Sequence, residues 1–206
     1  MFNEILFKAD KNNGQGFVKT PTDHPINMTA SLAREFNPMV VAAGDNVYVG
    51  WYGPSGLPNK EIYFRGSEDN GDSFKGDQID YKNNHGAKLT IPYYDDPGTP
   101  TNISDNEAIS AGPTQAGPQM AAVGDSVYLA WTDQEPNGFA GRDTWFRASK
   151  DRGHSFGSRM NLSNNTVASR GPRLAASGDD VYVAWQDNLG FKFSRSNDQG
   201  DTFEVP

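Results

Sequence analysis

One stretch of this chain occurs three times without a gap: residues 38–51 read PMVVAAGDNVYVGW, residues 118–131 read PQMAAVGDSVYLAW and residues 172–185 read PRLAASGDDVYVAW. Each copy is followed by an aromatic stretch and then by an eight-residue box, SEDNGDSF from Ser67 to Phe74, SKDRGHSF from Ser149 to Phe156 and SNDQGDTF from Ser196 to Phe203. A phenylalanine stands three residues ahead of every box, at Phe64, Phe146 and Phe193. Such a repeat constrains the fold more than any local propensity, because a unit that cannot bury its apolar face alone must bury it against its neighbours.

A fourth, eroded copy opens the chain. Asn3 to Phe17 aligns with Lys60 to Phe74 and puts Asp10, Asn12 and Gly16 at the serine, aspartate and second-hydroxyl places of the box. Asn27-Met28-Thr29, Asn102-Ile103-Ser104 and Asn161-Leu162-Ser163 form a further echo after the boxes. The units then divide into a half-unit at 3–37 and repeats at 38–117, 118–171 and 172–206.

Period-two alternation places Val47, Val49 and Trp51 on one strand face, and Val127/Leu129/Trp131 and Val181/Val183/Trp185 repeat it; that face is expected to be core. Gly44-Asp45, Gly124-Asp125 and Gly178-Asp179 lie between strand-like runs, as tight hairpin turns do. Pro38, Pro118 and Pro172 suit the first residue of a strand. A third strand carries Ile62/Phe64 or Phe191/Phe193, and the box turns the chain into a fourth. Four antiparallel strands in a unit of roughly 40 to 50 residues are the pattern of a β-propeller blade. The expectation is an all-β chain, a single propeller arc over 1–206 with about three and a half blades. The composition agrees: 12% aromatic residues serve the strands, and 22 glycines and 13 prolines serve the turns.

The box S-x-D-x-G-x-[S/T]-F resembles the Asp-box, or BNR repeat, of sialidases and other propellers, where it links the third and fourth strands of a blade. The resemblance covers nearly the whole chain and implies a structural role for Ser67, Asp69, Gly71 and Phe74, for Ser149, Asp151, Gly153 and Phe156, and for Ser196, Asp198, Gly200 and Phe203. The aspartates are expected to accept hydrogen bonds from turn N–H groups, the glycines to supply positive φ, and the phenylalanines to plug the hairpin into the stack. A calcium loop of the D-x-[DN]-x-[DN]-G kind places its glycine one residue later and has a third oxygen, so no metal is expected in the boxes.

Sialidase catalysis, by the same resemblance, requires three arginines, a tyrosine nucleophile activated by a glutamate, an aspartic acid/base and a Phe/Tyr-Arg-Ile-Pro segment. No such segment occurs; Tyr63-Phe64-Arg65-Gly66 and Trp145-Phe146-Arg147-Ala148 are the nearest sequences. No catalytic residue and no cofactor is assigned. Arg65 and Arg147 recur at one repeat position and read first as partners of a neighbouring blade, second as ligand contacts. Trp145 stands at a variable position and is the better sugar-stacking candidate. The insertion Lys75 to Thr101, with Tyr93 and Tyr94, and the loop Thr132 to Asp143, with Asp133, differ most between units and are the expected binding loops. The sequons at Asn27, Asn102 and Asn161 occupy one repeat position, so the repeat explains them without glycosylation, and Asn164 is a fourth.

A net charge of −8 and a pI near 4.8 argue against a nucleic-acid partner. With no cysteine, disulfides and thiolate sites are excluded, and no apolar stretch is long enough to span a membrane. The expected function is therefore non-catalytic recognition or assembly at an extracellular or cell-surface location, with a glycan or surface protein bound through loops. The alternatives are an exo-sialidase-like glycoside hydrolase or a fragment of one, and a structural subunit of a surface layer or filament. Because both ends supply the same half-unit, self-association is expected, as a ring-completing dimer or an end-to-end array.

Overall fold

The computed structural model describes residues 5–9, 26–28, 36–56, 59–74, 101–104, 109–110, 118–134 and 142–206. These residues form four antiparallel β-sheets and no helix. Sheet I pairs β1 (Leu6–Phe7) with β2 (Ile26–Asn27). Sheet II runs β3 (Phe36–Ala43), β4 (Asn46–Gly56), β5 (Asn59–Ser67), β6 (Thr101–Asn102). In sheet III, β7 (Ile109–Ser110) and β8 (Gln119–Val123) share one flank of β9 (Ser126–Gln134), with β10 (Arg142–Ser149) and β11 (Met160–Asn161) on the other. Sheet IV is β12 (Arg170–Ser177), β13 (Asp180–Asp187) and β14 (Gly190–Ser196).

The tight turns form where Gly-Asp pairs were expected. Gly44, Gly124 and Gly178 have φ of 58°, 56° and 57°, the left-handed first position that matches hairpin twist. The prolines sit differently from the expectation. Phe36 faces Tyr52 while Met39 faces Gly50, so β3 carries one extra residue, and Arg170/Arg173 of β12 shift likewise against Gln186/Ala184. The left-handed residues at these bulges are Asn37 (φ 51°) and Gly171 (φ 59°). Pro38 and Pro172 follow them inside the first strand, at a bulge where a missing N–H costs no ladder bond. Pro118 does directly precede β8.

The core lies between sheets. Ile5 and Met28 of the sheet I unit meet Val49 and Trp51 of sheet II. Tyr48, Tyr52, Phe64 and Ile103 of the sheet II unit meet Val127, Leu129 and Trp131 of sheet III, and Tyr128, Phe146 and Leu162 of the sheet III unit meet Val181, Val183 and Trp185 of sheet IV. The Val/Val/Trp face is thus core, turned to the preceding sheet, and the opposite tyrosine-bearing face of sheets II and III is core as well.

One contact recurs at every joint. Phe7 packs edge-on against Phe74 at 4.8 Å, Phe64 against Phe156 at 5.0 Å and Phe146 against Phe203 at 4.8 Å. Each of these third-strand rings also lies on the box glycine of the next sheet: a Cβ at Gly71, Gly153 or Gly200 would stand 2.8, 2.5 or 2.8 Å from Phe7, Phe64 or Phe146. The box glycine is therefore required twice, for its positive φ and for the ring above it. Around the rim, polar side chains meet in pairs across the same joints, His154 with Glu68 at 2.7 Å and Lys150 with Asp201 at 2.6 Å.

An antiparallel meander sends alternate connections to opposite ends. The Gly-Asp turns and the boxes share one end, where Asn70 N–H donates to the Asp45 carbonyl (2.8 Å), Arg152 to Asp125 (2.8 Å) and Gln199 to Asp179 (2.9 Å). The C-terminal ends of β4, β9 and β13, the N-terminal ends of β5, β10 and β14 and the starts of β3, β8 and β12 lie at the other end.

Gly153→Ala should destabilise the protein by about 3 kcal/mol, combining left-handed strain with overpacking against Phe64. Gly124→Ala shares the strain but meets nothing within 4 Å, and should cost about 1 kcal/mol. Urea unfolding compares the two; equal losses would show that the ring contact contributes nothing.

Candidate functional site

The three intact boxes share one hydrogen-bond pattern. The serine hydroxyl donates to the aspartate, at 2.6 Å for Ser67–Asp69, 2.7 Å for Ser149–Asp151 and 2.6 Å for Ser196–Asp198, and accepts from the box glycine N–H at 2.9, 2.8 and 2.8 Å. The aspartate accepts the backbone N–H of Ser73, Ser155 or Thr202 at 2.9 Å and also the hydroxyl of that residue. Burial alone would raise the Asp69 pKa, but the hydrogen bonds from Ser67, Ser73 and Asp72 outweigh it and lower it to about 2. The Ser155 hydroxyl leads the bonds that lower Asp151 to about 2, and those from Ser196 and Thr202 hold Asp198 lower still. Both oxygens of each carboxylate are committed to the turn. Among the described residues no group of three or more His, Asp or Glu is placed to hold a metal.

Arg65 is buried, and its Nε donates to the Met28 carbonyl at 3.0 Å; Arg147 donates to the Ile103 carbonyl (Nη1, 2.7 Å) and the Gly157 carbonyl (Nε, 2.7 Å). Each arginine thus ties its third strand to the fourth-strand segment of the preceding sheet. In sheet IV, Ser194 takes this place, and Arg195 instead pairs with Asp180 at 2.8 Å.

The Asn-x-Ser/Thr echo marks that segment. Met28 N–H donates to the Ile5 carbonyl (2.8 Å), Ile103 to Ile62 (2.7 Å) and Leu162 to Thr144 (2.8 Å), and the three apolar side chains are buried. Ser104 and Ser163 accept the N–H of Ile62 and Thr144, each at 3.0 Å. Asn161 donates to Asp143 at 2.9 Å. This echo was legible as a repeat but not as a strand cap.

Two of the candidate binding residues meet through a third that the sequence reading missed. Asp133, at the end of β9, is fully buried, and Arg159 reaches it at 3.4 Å while its guanidinium lies 4.1 Å over the Trp145 ring. The Arg159 side chain keeps 26% of its surface exposed, so it is the member of the trio that reaches solvent. Tyr52, on the facing sheet, is pushed well above the ordinary phenol range by burial and then by the Asp133 carboxylate. Its hydroxyl and the Nε1–H groups of Trp131 and Trp145 are buried and have no hydrogen-bond partner among the described residues. A repeat alignment gives one signal for Arg159: at the same offset from Asn102 the chain has Pro100. Tyr93, Tyr94 and most of their insertion lie outside the described residues.

A carboxyl whose folded pKa lies below its unfolded value contributes stability in full above the unfolded value and loses it as pH falls through the folded one. With an ordinary aspartate near 3.9 and Asp69 and Asp151 at about 2, the boxes stabilise the fold fully above about pH 5 and release that stability between about pH 4 and 2. An acid titration followed by circular dichroism should show this, and Ser155→Ala should move the acid midpoint upward. An unmoved midpoint would mean that the Asp151 carboxylate does not control it.

No protein-family model matches the chain, and no curated protein matches it. Among solved structures, it is similar to the Trypanosoma rangeli sialidase in complex with 2,3-difluorosialic acid, with 13% identity, a TM-score of 0.47 and coverage of 97% of this chain and 32% of that one. A mutant of that sialidase displaying trans-sialidase activity gives 12%, 0.48, 98% and 32%. A mutant α-L-arabinofuranosidase from Fusarium graminearum, in complex with an iminosugar inhibitor, gives 12%, 0.43, 81% and 45%. The chain thus spans 32% of the length of each of these sialidase chains.

Proposed function

We propose that the chain is an arc of an Asp-box β-propeller that acts outside the cell or at its surface as a recognition module, binding a hydroxyl-rich ligand such as a glycan at its loop-bearing end without turning it over. The observation that carries this reading is the cluster of Trp145, Arg159 and Asp133 beside the hydroxyl of Tyr52, which has no hydrogen-bond partner among the described residues. Buried donors are normally satisfied, and hydroxyls of a sugar supply the acceptors that these lack, with an aromatic ring beside them.

A glycan array should give a defined set of binders. Arg159→Ala should weaken them at least tenfold, a change of about 1.4 kcal/mol. Turnover of a fluorogenic glycoside by the purified protein, abolished by Asp133→Asn, would replace this reading with the hydrolase.

Self-association is a second part of the proposal, favoured by sheet IV. Tyr182 and Phe193 stack at 6.2 Å as Tyr128 and Phe146 do inside the stack, yet Phe193 is 56% exposed. Arg195 occupies the place of Gly66 and Ala148, where the next box turn comes close, its Arg152 carbonyl 3.3 Å from a Cβ at Gly66. A second copy seated as at the inner joints must turn Arg195 aside, so this contact is weaker than an inner joint. Sedimentation at micromolar concentration should show reversible association, strengthened by Arg195→Gly and removed by Phe193→Ser; identical behaviour of all three proteins would refute it.

A further inference from the structure

Two of the Asn-x-Ser/Thr tripeptides lie side by side, Asn161-Leu162-Ser163 and Asn164-Asn165-Thr166, and the fold treats them oppositely. In the first, the polar side chains are used by the fold. Asn161 donates its amide to Asp143 Oδ2 at 2.9 Å, and its Oδ1 accepts the Asn164 N–H at 2.8 Å. The Ser163 hydroxyl donates to Asp143 Oδ1 at 2.7 Å and accepts the Thr144 N–H at 3.0 Å. Asp143 and Ser163 are buried, so these bonds satisfy both oxygens of a carboxylate that is costly to leave bare. Ser104 accepts the Ile62 N–H in the same way, at 3.0 Å.

The second tripeptide stands on the first. The connection from β11 to β12 is pinned to β10 on both sides, by Leu162 N–H to the Thr144 carbonyl at 2.8 Å and by Ser169 N–H to the Arg142 carbonyl at 2.7 Å. Between these pins Asn164 takes φ of 31°, and Asn164, Asn165 and Thr166 are exposed, while Ala168 and Ser169 are buried. The Asn165 side chain is engaged by the Val167 N–H at 3.0 Å. Among the described residues the Asn164 side-chain amide makes no hydrogen bond; its backbone N–H alone is held. The repeat does not account for Asn164 either, since the same offset from Asn102 gives Asp105 and from Asn27 gives Ala30.

We propose that Asn164 is an acceptor for N-linked glycosylation and that Asn161, with the same tripeptide pattern, is not. Such a tripeptide is modified on surface loops of secreted proteins, so the proposal rests on the extracellular reading. In the transfer, Asn164 Nδ2 bonds to the anomeric carbon of an oligosaccharide carried on a polyprenyl diphosphate. The bond from that carbon to the phosphate oxygen breaks, the lipid diphosphate leaves, and the amide gives up one proton to the transferring enzyme. At Asn164 this disturbs no bond of the fold. At Asn161 it would set a sugar where the amide meets the buried Asp143 carboxylate, beside the cap of β10. The fold thus accepts one product and rejects the other.

The test places the whole chain behind a cleavable secretory leader in eukaryotic cells, so a negative result at Asn164 counts against this site and not against an extracellular location. The secreted protein is treated with an amidase that converts a glycosylated asparagine to aspartate, and mass spectrometry of its peptides reads each position. Conversion at position 164 and none at 161 is expected. Asn164→Gln should leave the peptide bare and the melting temperature unchanged. Asn161→Gln should keep the glycan at Asn164 and lower the melting temperature by several degrees, because Asp143 loses a partner. A bare Asn164 in the secreted protein, or a glycan at Asn161 in folded protein with or without Asn164→Gln, would overturn the proposal.

Discussion

The stack of sheets depends on one contact, an aromatic ring laid on a glycine of the sheet that follows. Phe7, Phe64 and Phe146 each need a neighbour with no Cβ beneath the ring, and Gly71, Gly153 and Gly200 supply it at φ of 83°, 81° and 85°. The hydrogen bonds of the box serve this contact. The serine and aspartate oxygens satisfy the turn's N–H groups while the backbone holds two successive left-handed residues, Asn70-Gly71, Arg152-Gly153 and Gln199-Gly200. The box phenylalanine then closes on the same ring from the side. A polar motif on the surface is in this way the anchor of an apolar layer.

Much of this was legible in the chain itself. The repeat gave the strands, the Gly-Asp turns and the box, because each copy had to satisfy the same backbone and bury the same stripe. It also gave the positive φ of the box glycine. The second demand on that glycine was not visible, since the ring that requires it belongs to the preceding unit and only stacking brings the two together. The prolines misled for a local reason: a one-residue bulge at Asn37 and Gly171 carries the strand past the position where a proline would otherwise begin it. The Trp145, Arg159 and Asp133 cluster escaped for the opposite reason. A repeat displays what copies share, and Arg159 and Tyr52 belong to single copies.

The two ends of the stack carry different burdens. At the box end, turns are tied to turns within each sheet, and arginines tie sheets together along their outer strands. The sequences that join the strands at the other end vary in length and composition between repeats; the Tyr52 hydroxyl and the Nε1–H groups of Trp131 and Trp145, which have no hydrogen-bond partner among the described residues, lie toward that end, and the hydroxyls of Tyr48 and Tyr128, which have none there either, lie toward the boxes.

The rim pairs have a consequence for the order of the units. Phe-on-glycine is the same at every joint, so by that contact any unit would fit any other. The exposed pairs are weak, less than about 1 kcal/mol each, yet they are not interchangeable. Glu68 meets His154 and Arg152, and Lys150 meets Asp201. If the middle unit were lost by recombination between copies, Glu68 would face Asp201 across an otherwise well-formed joint. The aromatic seat thus makes the units exchangeable, and the rim charges give each one an address.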